Sequence, residues 1–351
     1  MHYFGPWDDP DGALKKYLEQ KGALHAGRKV RDDPTGLTVK ERCNRFLNAK
    51  QALVESGELA SRSWDDYKAA CDLCVSWLGK GRLAADLDPD DFAAMRKALA
   101  KRWGPVRRGN TIQRIRSVFK YGFDAGLLAT PVRFGPGVAR PTKKTLRLSR
   151  ASKGARMFEA DELRRLPDAA GQPLRAMILL GVNCGFGNAD VGTLPLSAVD
   201  LEGGWVNYHR PKTGITRRCP LWPETVEAIK EAITRRPGPE DPKNAGLGFI
   251  TCKREIWHKK DRDNPASKET RKLLDALGIN GSRNFYALRH TFETIGGGAK
   301  DQVAVDHIMG HARDEMASVY GEWISDERLR AVADHVRRWL FADAAKDRAA
   351  G

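Results

Sequence analysis

The sequence predicts a mainly α-helical protein with one small β-sheet, arranged as two helix-rich domains. Three observations carry that prediction. Apolar residues recur at helical spacing from Thr38 to Leu128 and again from Phe158 to Phe341. One stretch, GGWVNYHRPKTGITRRCPL, reads instead as strands around a turn at Thr213-Gly214. Between the two periodic regions, residues 131–157 contain Pro, Gly and eight basic residues, with no lasting hydrophobic period.

Each element has a local reason. Residues 1–36 are rich in Gly, Pro and Asp, with a short helical piece around Ala13–Gln20, and read as an arm or strap without an assigned task. In residues 37–130, Thr38 can cap VKERCNRFLNAKQALVES, with Glu41 as its capping-box partner. Ser63 can cap WDDYKAACDLCVSWLGK, and Asp88 or Asp90 can open DDFAAMRKALAKRW. A fourth helix, NTIQRIRSVFKYGFDAGL, places Ile112, Ile115, Val118 and Phe119 on one face. Residues 131–157 read as a linker. From 158 to 351, FEADELRRL and PLRAMILLGVNCGFG are helices with apolar stripes, and Pro223–Arg236 is helical again. Phe249-Ile250-Thr251 is a candidate short strand; Ser267–Leu277, Tyr286–Gly297, Gln302–Met309 and Asp326–Phe341 complete the domain.

Charge narrows the function classes. The chain of 351 residues has a formal net charge of +15, which points to a polyanionic partner. The excess is concentrated: residues 101–158 hold fifteen Lys or Arg against one acidic residue, Asp124, a balance of +14. A charge run is usually a solvated face, but one that holds nearly the whole excess favours phosphate contact. The DNA-contact candidates are Arg107, Arg108, Arg114, Arg116, Lys120, Lys143, Lys144 and Arg147. A basic strap between two domains can follow a DNA backbone. No apolar run approaches the roughly 20 residues that span a bilayer, and MHYFGPWDDP lacks a signal-peptide pattern. A cytoplasmic location with no membrane partner is expected.

Metal and cofactor signatures are missing. Cys71 and Cys74 form a lone C-x-x-C inside a helical pattern, without the second pair that zinc needs, so packing of free thiols is the better reading. No phosphate loop, HExxH or EF-hand pattern occurs. Neither a metal nor a cofactor is expected.

One stretch carries chemistry. Tyr286 to Tyr320 reads YALRHTFETIGGGAKDQVAVDHIMGHARDEMASVY, with Arg289-His290 near its start, Met309-Gly310-His311 further on, and Tyr320 nine residues after His311. An Arg that forks two donors onto a phosphate, a His that adds a third and a Tyr that attacks make a phosphoryl-transfer constellation. Each alone has a plainer reading: a Tyr at a helix end usually packs, a lone His is usually a satisfied core residue, and a Lys in a turn is usually solvated.

The set resembles the tyrosine recombinase (phage integrase) family, whose distal box runs H-x-L-R-H-T-F, then L-G-H, then Tyr nine residues after that His. The resemblance covers residues 158–340 well and 37–130 loosely. It implies an α-rich tyrosine recombinase catalytic domain preceded by a helical core-binding domain. It also implies a site-specific DNA recombinase or integrase that cuts and rejoins DNA through a 3′-phosphotyrosine, without metal or ATP. Double-stranded DNA is the implied partner, with self-association into a tetrameric synapse at the nucleoid.

By the same resemblance Tyr320 is the nucleophile, and Arg289 and His311 bind the phosphate. Lys212, in a K-T-x-x-x-x-x-x-P-L pattern with Thr213, Pro220 and Leu221, matches the hairpin lysine that acts as general acid. A free Tyr has a pKa of about 10, so attack needs its proton removed and its target polarised. His290 and Tyr286 fall in the same box, His290 with a structural role as the simpler reading.

Two departures stand out. Tyr286 replaces the first His of the box. Gly187, in Cys184-Gly185-Phe186-Gly187-Asn188-Ala189-Asp190-Val191, stands where the family's T-G-x-R-x-x-E-L pattern has its first arginine, while Asp190 keeps the acidic position. Losing one transition-state donor typically costs ~10²–10³ in rate, or about 3–4 kcal/mol. Asn188, Arg217 and Arg218 are candidate substitutes. A catalytically inactive DNA-binding relative, acting as an accessory or regulatory protein, is therefore the alternative. A type IB topoisomerase shares the Tyr chemistry, but the short two-domain layout argues against it.

Overall fold

The computed structural model describes residues 4, 8–25, 36–128, 130–154, 156–259, 264–311 and 324–349. It divides into two compact units, residues 1–152 and 153–351.

The first unit is helical. Helix α1, Pro10–His25, is longer than the piece expected there. Helix α2, Val39–Glu55, starts at the predicted capping box: Thr38 Oγ1 accepts from the Glu41 N–H at 3.2 Å, and Glu41 Oε2 accepts from the Thr38 N–H at 2.9 Å. Helix α3, Ser61–Leu78, starts ahead of the expected cap; its N-cap is Ala60, without a side-chain bond, and Ser63 lies inside the first turn. Asp88 rather than Asp90 caps α4, Pro89–Arg102, because Pro89 at the first helical position needs no N–H partner. Helix α5, Pro105–Asp124, begins at Pro105 for the same reason, ahead of the expected Asn110.

The four residues predicted for one face of α5 are buried, and they close on Phe46, Phe92, Met95 and Leu99. Cys43, Cys71 and Cys74 are free thiols in the same core, which agrees with the packing reading.

Residues 131–157 differ from the expected linker. Val138 is buried in this core, and Val132 and Phe134 pack against it, with the Phe134 ring 4.7 Å from that of Phe92. A helix, α6, spans Lys143–Ala151, with Thr142 Oγ1 accepting from the Thr145 N–H at 3.2 Å. Three apolar residues inserted singly into a distant core leave no local period, so the pattern could not show them.

The second unit packs around α8, Leu174–Asn183, which is buried along nearly its whole length. It lies against α7 (Ala160–Ala169), α10 (Pro223–Thr234) and α12 (Tyr286–Gly296). Gly181 permits the α8–α12 approach, since a Cβ there would fall 2.7 Å from Leu288 Cδ1. A short helix, α9 (Asn188–Gly192), follows α8, and α11 covers Pro265–Ala276. Helix α13 is Gln302–Met309, and α14, Asp326–Ala349, packs over α7, α12 and the sheet.

The sheet is antiparallel in the order β1 (Val199–Asp200), β2 (Trp205–Asn207), β3 (Arg218–Pro220), with Trp205 opposite Pro220 and Val206 opposite Cys219. The segment at Phe249–Thr251 forms only an isolated bridge, Ile250 to Ile256. Among the described residues no helix is long and apolar enough to cross a membrane.

Candidate active site

Arg289 anchors the site. Helix α12 buries Ala287, Leu288, Thr291 and Phe292, and Arg289 shares that buried face at 2% exposure. Its guanidinium is held by three acceptors: Nη1 donates to the Gly185 carbonyl at 2.6 Å, and Nη2 to the Met309 carbonyl and to His311 Nε2, both at 2.8 Å. Gly185 has a left-handed φ of +62°, and a Cβ there would meet Phe292 at 3.0 Å and Met309 at 3.2 Å, so glycine is needed beside the arginine. Burial, followed by the charge of Arg210, pushes the Arg289 guanidinium below its usual range.

His311 is placed by the end of α13. Gly310 caps that helix in the left-handed region at φ +64°, and the His311 N–H returns to the Asp306 carbonyl at 2.9 Å. Nε2 lies where it accepts from Arg289, and Nδ1 faces Asp306 Oδ1 at 3.4 Å; for His311 to donate to a phosphate, Nε2 must carry a proton and its bond to Arg289 must give way to the anion. The sequence-predicted Arg289 and His311 thus lie side by side.

The turn between β2 and β3 holds Lys212 at its exposed tip, closed by the Gly214 N–H to the Arg210 carbonyl at 2.8 Å and by Gly214 at φ +68°. The turn docks on the end of α13: Arg210 Nη1 donates to the Gly310 carbonyl at 3.0 Å and Thr213 Oγ1 to the same oxygen at 3.3 Å. A Cβ at Gly310 would stand 2.7 Å from Arg217 Cδ and 3.1 Å from Arg210 Cβ. The glycine of Met-Gly-His therefore caps a helix and makes room for two arginines.

Tyr286 and His290 form a separate pair at the start of α12, ring to ring at 5.2 Å and nearly perpendicular. Burial lowers the pKa of His290. Tyr286 borders Gly187, whose Cβ would lie 3.4 Å from the Tyr286 ring. Tyr320 lies outside the described residues.

The three residues named from the sequence as candidate substitutes at the Gly187 corner are already engaged. Asn188 Nδ2 donates to Ser267 Oγ at 2.6 Å and to Asn264 Oδ1 at 3.3 Å. Arg218 makes a two-pronged pair with Asp326, both bonds 2.8 Å, and stacks 3.9 Å over Trp205. Arg217, 1% exposed, donates to Asp190 Oδ1 at 3.0 Å and to the Tyr208 carbonyl, and stacks over Phe186 at 4.4 Å. The other Asp190 oxygen accepts the Gly187 N–H at 2.6 Å. One carboxylate thus ties the Gly187 corner to the hairpin and pairs with Arg217 through Nη2, while Arg217 Nη1 is buried without a partner among the described residues.

Arg210 escaped the sequence reading. The available signal was its place two residues before Lys212 on a turn whose tip already carried an assigned role.

In the first unit the expected DNA contacts divide. Arg114 pairs with Asp66 at 2.5 Å, and Lys120 with Asp124 at 2.7 Å. Arg116 donates to the Val138 carbonyl at 3.1 Å and stacks 4.8 Å over Phe134. Arg107 stacks 4.2 Å over Trp103, and Arg108 is partly buried. Lys143, Lys144 and Arg147 are exposed on α6, a helix with no buried residue.

Comparison with known proteins agrees with this architecture. The sequence pattern of the phage integrase family matches residues 156–327. The tyrosine recombinase XerC of Rhodospirillum centenum is 30% identical over 239 residues, spanning 65% of this chain and 66% of its own length. Two lambda integrase structures share the fold. A dimer bound to a COC' core site superposes with a TM-score of 0.61 at 17% identity, covering 91% of this chain and 89% of that one. A tetramer bound to a Holliday junction gives 0.59 at 16% identity, covering 92% of each chain.

Proposed function

We propose that the chain is a tyrosine recombinase of the phage integrase family, whose pattern matches residues 156–327, and that it cuts and rejoins duplex DNA at a specific site through a 3′-phosphotyrosine. Tyr320 attacks the scissile phosphate, Arg289 and His311 bind its non-bridging oxygens, and Lys212 protonates the leaving 5′ oxygen. The bond energy is kept in the phosphotyrosine, so rejoining needs no external energy source.

The observation that supports this reading best is the buried Arg289. Its donors converge with His311 on the end of α13, and among the described residues no carboxylate is hydrogen-bonded to it. A buried guanidinium satisfied only by neutral acceptors retains its full charge for an anion. The exposed cations of α6 supply sequence-independent contact to the DNA backbone. Self-association on DNA, as in the lambda integrase dimer and tetramer, belongs to the same proposal, as does location at the nucleoid.

Gly187 supports a second reading, a DNA-binding relative that does not cleave. One experiment separates the two. Duplexes selected from a random pool by the protein are nicked near the scissile position, incubated with it, and run on a denaturing gel. A covalent protein–DNA adduct is expected; bound duplex with no adduct at any nick position supports the accessory or regulatory role.

A further inference from the structure

We infer that Arg210 is the second guanidinium of the phosphate pocket, supplying with Arg289 and His311 the donor that Gly187 lacks. The inference rests on the phosphate-binding reading of Arg289 and deepens it. Two guanidiniums reach consecutive peptide carbonyls from different elements. Arg289 on α12 donates to the Met309 carbonyl, and Arg210 on the hairpin donates to the Gly310 carbonyl. His311, the next residue, is hydrogen-bonded to Arg289. All three groups therefore meet within one short stretch of backbone.

Charge separates Arg210 from the other arginines nearby. Arg217 and Arg218 each face a carboxylate, Asp190 and Asp326. Among the described residues neither Arg210 nor Arg289 forms such a pair. Two like charges with no carboxylate hydrogen-bonded to either among the described residues repel, and an anion between them reverses the sign of the interaction.

Position argues in the same direction. Arg210 is half-buried, and so open in part to solvent, whereas Arg217 is enclosed. Thr213 shares the Gly310 carbonyl with Arg210, so the turn that carries Lys212 is fixed to the same point. Placement of Arg210 and placement of Lys212 are then one event, and a pre-organised donor costs no rearrangement when the phosphate arrives.

The test uses the full-length protein and inorganic phosphate, with binding followed by 31P line broadening. Arg210→Gln removes the charge but leaves an amide donor for the Gly310 carbonyl, and Arg210→Lys keeps the charge without the fork; circular dichroism and melting verify both. Wild type should bind phosphate, and Arg210→Gln should weaken it by about tenfold or more, given what a charged hydrogen bond contributes. Arg210→Lys should fall between them. On the nicked duplex, Arg210→Gln should slow adduct formation by ~10²-fold at equal DNA occupancy. A wild type that binds no phosphate, or an Arg210→Gln that binds it equally well, overturns the inference. So does an adduct rate equal to wild type. Phosphate binding that depends on Arg210 in a protein that forms no adduct supports the anion site and removes the cleavage reading instead.

Discussion

On α5 and α6 of the first unit Lys120, Lys143, Lys144 and Arg147 stand in solvent or in a surface pair, whereas Arg217 and Arg289 of the second are 1% and 2% exposed. The same residue type serves two kinds of electrostatics. Exposed cations act through counter-ion release, so their effects are screened, roughly additive and replaceable. Buried ones are oriented in advance by fixed acceptors such as Gly185 and Met309, in a setting that amplifies both their use and the penalty of removing a partner.

The contrast breaks most completely at the nucleophile. Tyr320→Phe should leave duplex affinity unchanged and abolish the covalent adduct; an adduct from this variant on a denaturing gel would refute the assignment. Next comes Arg289→Lys, which loses the fork. Single-turnover adduct formation should drop by ~10²–10³-fold with DNA occupancy held equal. A loss under tenfold would make Arg289 as replaceable as a surface cation.

The buried Arg217–Asp190 pair sharpens the comparison through stability rather than rate. Arg217→Met leaves Asp190 buried with the Gly187 N–H alone, and removing one partner of a buried pair costs about 3–5 kcal/mol. Urea denaturation should show that loss, while Arg114→Met, which breaks a surface pair with Asp66, should cost at most ~1 kcal/mol. Equal losses would erase the distinction between the units.

Gly187→Arg should bring no gain on its own, because Arg210 already serves the pocket and a Cβ at 187 meets Asp190 Oδ2 at 3.3 Å. In an Arg210→Gln background it should recover part of the lost adduct rate. A tenfold gain in the wild-type background would show an unfilled position. The smallest effect per residue belongs to α6. Neutralising Lys143, Lys144 and Arg147 together should weaken binding across sequences and flatten the slope of log K against log salt by about 2.7, at roughly 0.9 per phosphate contact. An unchanged slope would remove α6 from the DNA interface.

Much of the fold was legible locally because caps and periodicity are local. Thr38 with Glu41, the buried face of α5 and the hairpin turn at Gly214 all follow from neighbours within four residues. The box from Tyr286 to His311 was legible for a different reason: α12 and α13 hold Arg289 and His311 at fixed intervals, and a fixed interval survives in sequence.

The tertiary structure decided what depends on distant partners. It placed Val138 in a core whose other members lie far along the chain, which no period within residues 131–157 could signal. It sorted four arginines that look alike in sequence. Arg217 and Arg218 sit side by side in sequence yet face Asp190 and Asp326, while Arg210 and Arg289 face consecutive carbonyls at the end of α13. Residue type determines that a guanidinium carries charge and a fork of donors. Which arginines keep that charge unpaired is set by where the packing leaves the carboxylates, and that is a property of the folded chain alone.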